Sequence, residues 1–253
     1  MKFAVCVKAV PDAAAGRRLD PSTKRLDRSG ELTISDWDTY PIEEALKLRE
    51  AAGDGEVVVV SMGPERAMDA LRKALAMGAD RAVLVSDASL EGADLLGTAK
   101  ALAGALEKES PDLVLFGQQS ADGGGAVLWA AVAEKLRQPV ISQASELTVE
   151  SGSVTGKRQT EFGYDSIRAP LPAIVAVSDS INTPRYPSLK GIMGAKKKPQ
   201  DARTAADVGG AEGPVTTVVA LSPPPARGEA RKVEDDGSGA EQIVEFLAEK
   251  RLV

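Results

Sequence analysis

The chain of 253 residues contains no histidine and a single cysteine, Cys6. Without an imidazole, every Ser-His-Asp or Cys-His arrangement, every histidine metal ligand and every imidazole acid-base step is excluded. One cysteine can form neither an internal disulfide nor a four-cysteine metal site. Such sparse usage fits a reducing compartment. Basic charge is also in deficit: 31 Lys and Arg stand against 37 Asp and Glu, a net charge of −6. A broad nucleic-acid-binding face is therefore not expected. No run of apolar residues is long enough for a transmembrane helix. The apolar start, residues 3–7, stops at Lys8 and Pro11, too soon for a signal peptide. The chain is expected to be cytoplasmic. No pair of carboxylates is spaced for acid-base work, so no catalytic side chain is assigned. Binding a nucleotide, or carrying a redox cofactor that does the chemistry, fits better.

What is present is a globular composition, 43% hydrophobic and 27% charged, with room for a large core. Short β-branched runs alternate with helical patterns. Residues 3–7, 57–60, 81–85 and 113–116 read as buried parallel strands. Residues 25–34 look like a small hairpin, with Asp27 and Gly30 at its turn. Asp38 or Thr39 is a candidate cap for the next helix, with Pro41 in its first turn and Gly53 at its end. Helical stripes follow at Ala67, Leu71 and Leu75, at Leu95, Ala99 and Leu102, and over residues 126–136. The repeat of strand, loop and helix predicts a three-layer αβα sandwich with a mostly parallel sheet. After Pro139, short strands with Gly turns predict a small antiparallel elaboration, and residues 171–177 return to the sheet.

The tail reads differently. Residues 200–213 are rich in Asp, Ala and Gly without periodicity, and look like a linker. Residues 215–221 are a strand candidate, followed by three prolines that stiffen the chain. Residues 240–252 form a last amphipathic helix with Ser238 as a possible cap. The domain expectation is residues 1–199 as a nucleotide-binding-type α/β domain. Residues 200–253 would be a linker and an extended C-terminal arm, which docks on its own domain or wraps a partner chain.

Loops leave the carboxyl ends of parallel strands after Val7, Val60 and Phe116, where open α/β sheets bind ligands. The third runs Gly117-Gln118-Gln119-Ser120-Ala121-Asp122-Gly123-Gly124-Gly125 directly into a helix. Exposed amides there suit a phosphate, because first-turn N–H groups lack partners and the dipole favours an anion. The loop lacks the Lys-Ser or Lys-Thr of a Walker loop and the glycine spacing of a dinucleotide fingerprint. A flexible Gly-rich connection explains it equally well. Asp122 is a candidate ribose acceptor or a helix cap. Cys6 faces the core or the crevice. The run Lys196, Lys197, Lys198 follows Leu189, Ile192 and Met193, which reads as a solvated surface or as an apolar anchor beside steering charge.

Together these residues resemble the beta subunits of electron transfer flavoproteins. The likeness rests on Val5-Cys6-Val7-Lys8-Ala9-Val10-Pro11-Asp12, on Ile42-Glu43-Glu44-Ala45-Leu46-Lys47-Leu48 and on residues 74–82, Ala-Leu-Ala-Met-Gly-Ala-Asp-Arg-Ala. Pro111-Asp112-Leu113-Val114 and Gly117-x-Gln119 add to it. Its most specific stretch is residues 171–177, then Pro184-Arg185-Tyr186-Pro187-Ser188-Leu189, then Lys196 to Lys198. The resemblance implies a heterodimer with a larger alpha subunit and one FAD held chiefly by that subunit. It also implies AMP, or a second FAD in electron-bifurcating members, in the beta subunit. Electrons would pass from a flavin dehydrogenase, such as an acyl-CoA dehydrogenase, to a quinone reductase or other acceptor.

By the same resemblance, Cys6, Ser61, Met62, Gly63, Asp122, Gly123, Gly124, Gly125, Ala126 and Val127 correspond to the cofactor-binding positions. Leu189, Ile192, Met193, Lys196, Lys197 and Lys198 correspond to the partner-binding segment, with Leu189 as the anchor. The chain departs from the family at Gly124, Gly125 and Val127, where relatives carry Asp, Thr and Gln, and at Ser35-Asp36, where they carry Asn-Pro. Side-chain bonds to phosphate are lost there, and the backbone amides of residues 123–127 are left to serve. Trp129 stands where relatives have a small residue and is a candidate to fill part of the pocket. Two other readings stay open: a stand-alone adenine-nucleotide-binding regulatory module, and a structural subunit with an empty crevice.

Overall fold

The computed structural model describes residues 1–12, 14, 16–150, 152–226 and 232–253. Two compact units are present, Met1–Val218 and Val219–Val253. The first is built on a nine-stranded sheet. In chain order its elements are β1 (Lys2–Cys6), β2 (Ala9–Pro11), β3 (Leu32–Ile34), α1 (Asp36–Ala52), β4 (Glu56–Met62), α2 (Ala67–Met77), β5 (Arg81–Val85), α3 (Leu95–Glu109), β6 (Leu113–Gly117) and α4 (Leu128–Leu136). There follow β7 (Val140–Glu150), β8 (Ser153–Thr160), β9 (Gly163–Pro170), β10 (Ala173–Val177), α5 (Leu189–Ala195) and β11 (Gln200–Arg203).

The sheet order is β11-β5-β4-β1-β6-β10-β7-β8-β9, and only the β7–β8 and β8–β9 pairs are antiparallel. Side chains alternate across it. Phe3 and Val5 join a cluster with α1 and α2, whereas Ala4 and Cys6 join another with α3 and α4. Both faces are covered, which is why the central strands read as unbroken apolar runs. The chain moves from β1 to β4 on one side, then returns to β6 on the other side of β1. The helices after β1 and β6 therefore leave on opposite faces. That reversal of strand order beside β1 is the switch point at which open α/β sheets bind ligands. The three-layer sandwich and its antiparallel elaboration are as the sequence predicts.

Several local readings change. Residues 25–34 do not form a hairpin of their own: β3 pairs with β2, placing Ala9 opposite Ile34, and Leu19 and Leu26 make a lone bridge. Pairing with β2 buries Ile34 and Val10 together, which a hairpin within the loop would not. Helix α1 starts at Asp36, not after Asp38 or Thr39, so Pro41 lies within it. Its cap position is Ser35, which makes no side-chain bond to the helix. Gly53 ends it in the left-handed conformation, as expected.

The linker assigned to residues 200–213 contains β11, which adds to the sheet beside β5, and the buried Val208. Four residues are too few to show a strand period. Residues 215–221 are not a strand: the amides of Val215 and Thr216 bond instead to the Asp94 carboxylate. The second unit carries the expected terminal helix, α6 (Gly239–Glu249), without a side-chain cap from Ser238. Ile243, Val244 and Phe246 on α6 are exposed.

Candidate functional site

The crevice is held together by polar bonds between its loops. The amide of Lys8, just past β1, donates to Asp38 Oδ2 at 2.7 Å, and the amide of Ser35 donates to the Lys8 carbonyl at 2.9 Å. Ser35 Oγ in turn accepts from the Ala121 amide at 3.0 Å, which ties the loop after β6 to the start of α1. At Gly117 the two elements approach so closely that a Cβ would lie 2.5 Å from the Trp37 carbonyl oxygen and 2.7 Å from Asp38 Oδ1. Only glycine fits there.

Asp122 is the electrostatic centre. Its side chain is 2% exposed and accepts from Lys8 Nζ at 2.8 Å, from Arg28 Nη2 and from the Gly123 amide at 2.7 Å. Burial works against its charge, but Lys8 and Arg28 outweigh burial and hold its carboxyl well below the usual range. Asp38 goes the other way: burial pushes it up to about 8, against the opposing amide and charge of Lys8. Asp122 is thus neither a helix cap nor an open acceptor, because the cap position of α4 is Val127 and Asp122 is already fully engaged.

The phosphate-type loop divides in two. The amides of Gly123 and Gly124 turn inward, to Ser120 Oγ at 3.2 Å and to the Ser120 carbonyl at 3.0 Å. Gly124 takes φ 58° and Ala126 φ 48°, which lifts the following backbone into the open. Among the described residues, the amides of Gly125, Ala126, Val127, Leu128 and Trp129 have no partner. The donors available to an anion are therefore residues 125–129, not 123–127 as expected. Trp129 is folded onto the α3–α4 cluster, and its Nε1 donates to the Gln118 carbonyl at 3.1 Å. Five unpaired amides leading into α4, a few residues beyond Asp122 and its two cations, have the chemistry to hold a phosphate.

The other candidates fall nearby or inward. Cys6 is 4% exposed, belongs to the α3–α4 cluster, and its thiol is pushed up by burial, with Asp38 adding to the rise. Met62 packs against the same cluster. Ser61 points to the opposite face with Val57 and Val59; its buried Oγ has no partner among the described residues. Gly63 turns the chain after β4, its amide bonded to the Val85 carbonyl at 3.0 Å. Lys8, Arg28 and Asp38 carry no site role in the sequence alone, and Ser35 enters there only as a departure from the family's Asn-Pro. A lysine ending an apolar strand was a signal for the first; nothing local marks Arg28.

A second feature lies away from the crevice. Helix α5 packs on α2 and leaves Leu189, Ile192 and Met193 exposed at 74%, 55% and 70%. Ser188 caps it, accepting from the Gly191 amide at 3.0 Å. Lys196 and Lys197 are exposed. Lys198 is not available with them: its Nζ donates to the carbonyls of Leu75 and Ala79 at 2.9 and 2.6 Å, closing the end of α2.

An open, mostly parallel sheet whose strand order reverses beside β1 defines a doubly wound α/β protein. Comparison with known proteins is more particular. The electron transfer flavoprotein domain matches residues 23–208. The electron transfer flavoprotein beta subunit of Mycobacterium tuberculosis is 39% identical over 261 residues, covering 98% of each chain. That of Megasphaera elsdenii is 37% identical over 271 residues and covers both chains completely. The caffeyl-CoA reductase-Etf complex subunit CarD of Acetobacterium woodii is 34% identical over 263 residues, again end to end. This chain belongs to the electron transfer flavoprotein beta-subunit family. Among the described residues, no helix is long and apolar enough to cross a membrane.

Proposed function

We propose that the chain is the beta subunit of a heterodimeric electron transfer flavoprotein. Its similarity to such subunits over nearly its whole length carries this reading. FAD held with the alpha subunit supplies the electron-accepting and electron-donating chemistry when bound. The role of this chain is to bind, orient and exclude water around the nucleotide. In the strand-end crevice it holds a nucleotide, AMP or a second FAD. The unpaired amides of residues 125–129 meet the phosphate, and Lys8 and Arg28 balance its charge.

Partner contacts follow from the exposed surfaces. Leu189, Ile192 and Met193 on α5 dock a flavin dehydrogenase, such as an acyl-CoA dehydrogenase, with Lys196 and Lys197 steering it. The acceptor is a quinone reductase or another oxidant. The second unit, with its exposed apolar residues on α6, wraps the alpha subunit. Co-expression with the neighbouring alpha subunit, then measurement of flavin and AMP per heterodimer, tests the reading. One flavin with AMP indicates simple transfer, and two flavins without AMP indicate bifurcation. A colourless chain that takes up neither flavin nor partner overturns it.

A further inference from the structure

The segment that leads from β10 into α5 is fastened to α1 by two side chains, Arg185 and Asn182. Arg185 forks onto Glu43, with Nε to Oε2 at 2.7 Å and Nη2 to Oε1 at 3.0 Å. It also forks onto Glu50, with Nη1 to Oε1 at 2.6 Å and Nη2 to Oε2 at 3.1 Å. Glu43 and Glu50 lie seven positions apart, two helical turns on one face of α1. The Arg185 amide adds a bond to Glu43 Oε2 at 3.2 Å. Three residues earlier, Asn182 Nδ2 donates to the Tyr40 carbonyl at 3.1 Å and to Glu44 Oε2 at 3.0 Å. Residues 182–185 are thus strapped along α1. Beyond α5, Lys198 is fixed to α2, and a Cβ at Gly191 would collide with the Ala76 carbonyl oxygen. The exposed apolar turn lies between two anchorages.

We infer that Arg185 is a positioning residue for partner docking. Its double fork fixes the approach to α5, so that Leu189, Ile192 and Met193 meet a partner already in order. The inference rests on the reading of α5 as the docking helix. A bidentate guanidinium fixes direction as well as distance, which a single point charge does not. Ordering an apolar turn before contact removes that cost from the binding step. The fork adds little to core packing, since Glu50 and part of Arg185 remain in water. Geometry, not burial, is what it supplies.

The test uses the full heterodimer, co-expressed with its alpha subunit. An acyl-CoA dehydrogenase charged with its acyl-CoA delivers the electrons, and a dye accepts them. Arg185→Gln is expected to raise the KM for the heterodimer about tenfold, the size of a modest ordering cost moved into binding. It should leave kcat and flavin content unchanged and speed amide exchange across residues 189–195. Arg185→Lys, which keeps charge without the fork, should fall between. Glu50→Gln leaves the buried Glu43 pair intact; it should raise KM in the same direction and decides the matter if Arg185→Gln does not fold. Unchanged KM in Arg185→Gln and Glu50→Gln, with KM raised by Leu189→Ala, overturns the positioning role and leaves the docking reading standing. Unchanged KM in Leu189→Ala as well overturns both.

Discussion

Lys8 Nζ and Asp122 Oδ1 lie 2.8 Å apart, joining the loop after β1 to the loop after β6. Arg28 completes the clamp from a third segment. Removing the charge in Asp122→Asn should lower stability by about 1 kcal/mol, since both cations are partly in water and screened. Asp122 is held below its ordinary value of 3.8, so its contribution is full above that pH. The contribution is lost as pH falls through the lower folded value. Urea midpoints from pH 5 downward should therefore drop more steeply in the parent than in the variant.

Asp38 carries the opposite sign. Its folded value, about 8, lies above the ordinary 3.8, so the folded chain binds the extra proton between them. Stability should fall as pH rises through that window, by at most about 1.4 kcal/mol per pH unit for one proton. Asp38→Asn should flatten that slope. Urea midpoints at pH 5, 7 and 9 check it, and equal slopes in both proteins would refute it.

Glu109 stands at the other end of the strands, buried and bonded to Lys2 at 2.9 Å, to Arg81 and to Arg203. Burial opposes its charge, but these partners prevail and bring it down to about 2. Its contribution is present above 4.5 and is lost as pH falls toward 2. Glu109→Gln removes the carboxylate that the three cations share, leaving Lys2 and Arg81 with Glu56, and should cost about 3 kcal/mol, read from denaturant unfolding at neutral pH.

Gly117→Ala should open the crevice at its base. The new Cβ has to displace both the Trp37 carbonyl and the Asp38 carboxylate. A loss of about 1–3 kcal/mol is expected, together with weaker retention of AMP through gel filtration. Retention equal to the parent's would show that the site tolerates the shift.

Leu189→Ala removes an exposed side chain, so stability should stay within about 0.5 kcal/mol of the parent. Electron transfer from the dehydrogenase should weaken while flavin content holds. Unaltered transfer kinetics would remove α5 from the docking surface.

Much of the fold was legible because both sheet faces are covered. The runs at residues 57–60 and 113–116 can only be strands between two helical layers, and Gly53 marks a helix end by its backbone freedom. What escaped was decided at long range. β3 pairs with β2 because that buries Ile34, and β11 is held by β5 rather than by any pattern of its own. The site was half legible. Its loop stood out by glycine content and placement, but which amides face outward depended on the turn at Ser120. Asp122 read as a cap because its partners, Lys8 and Arg28, lie far away in the chain. Lys198 read as one of three equal lysines because the end of α2 is invisible from its own neighbourhood.

Strand β1 precedes both its neighbours in the chain yet lies inside the sheet. Phe3 pairs with Val57 on one side and Leu113 on the other, so β1 waits on the ribosome until both flanks have been translated. Assembly is then governed by distant encounters rather than neighbouring ones, which slows it and leaves an apolar ribbon open to misassociation meanwhile. Chaperone supply during synthesis should accordingly raise the yield of this subunit.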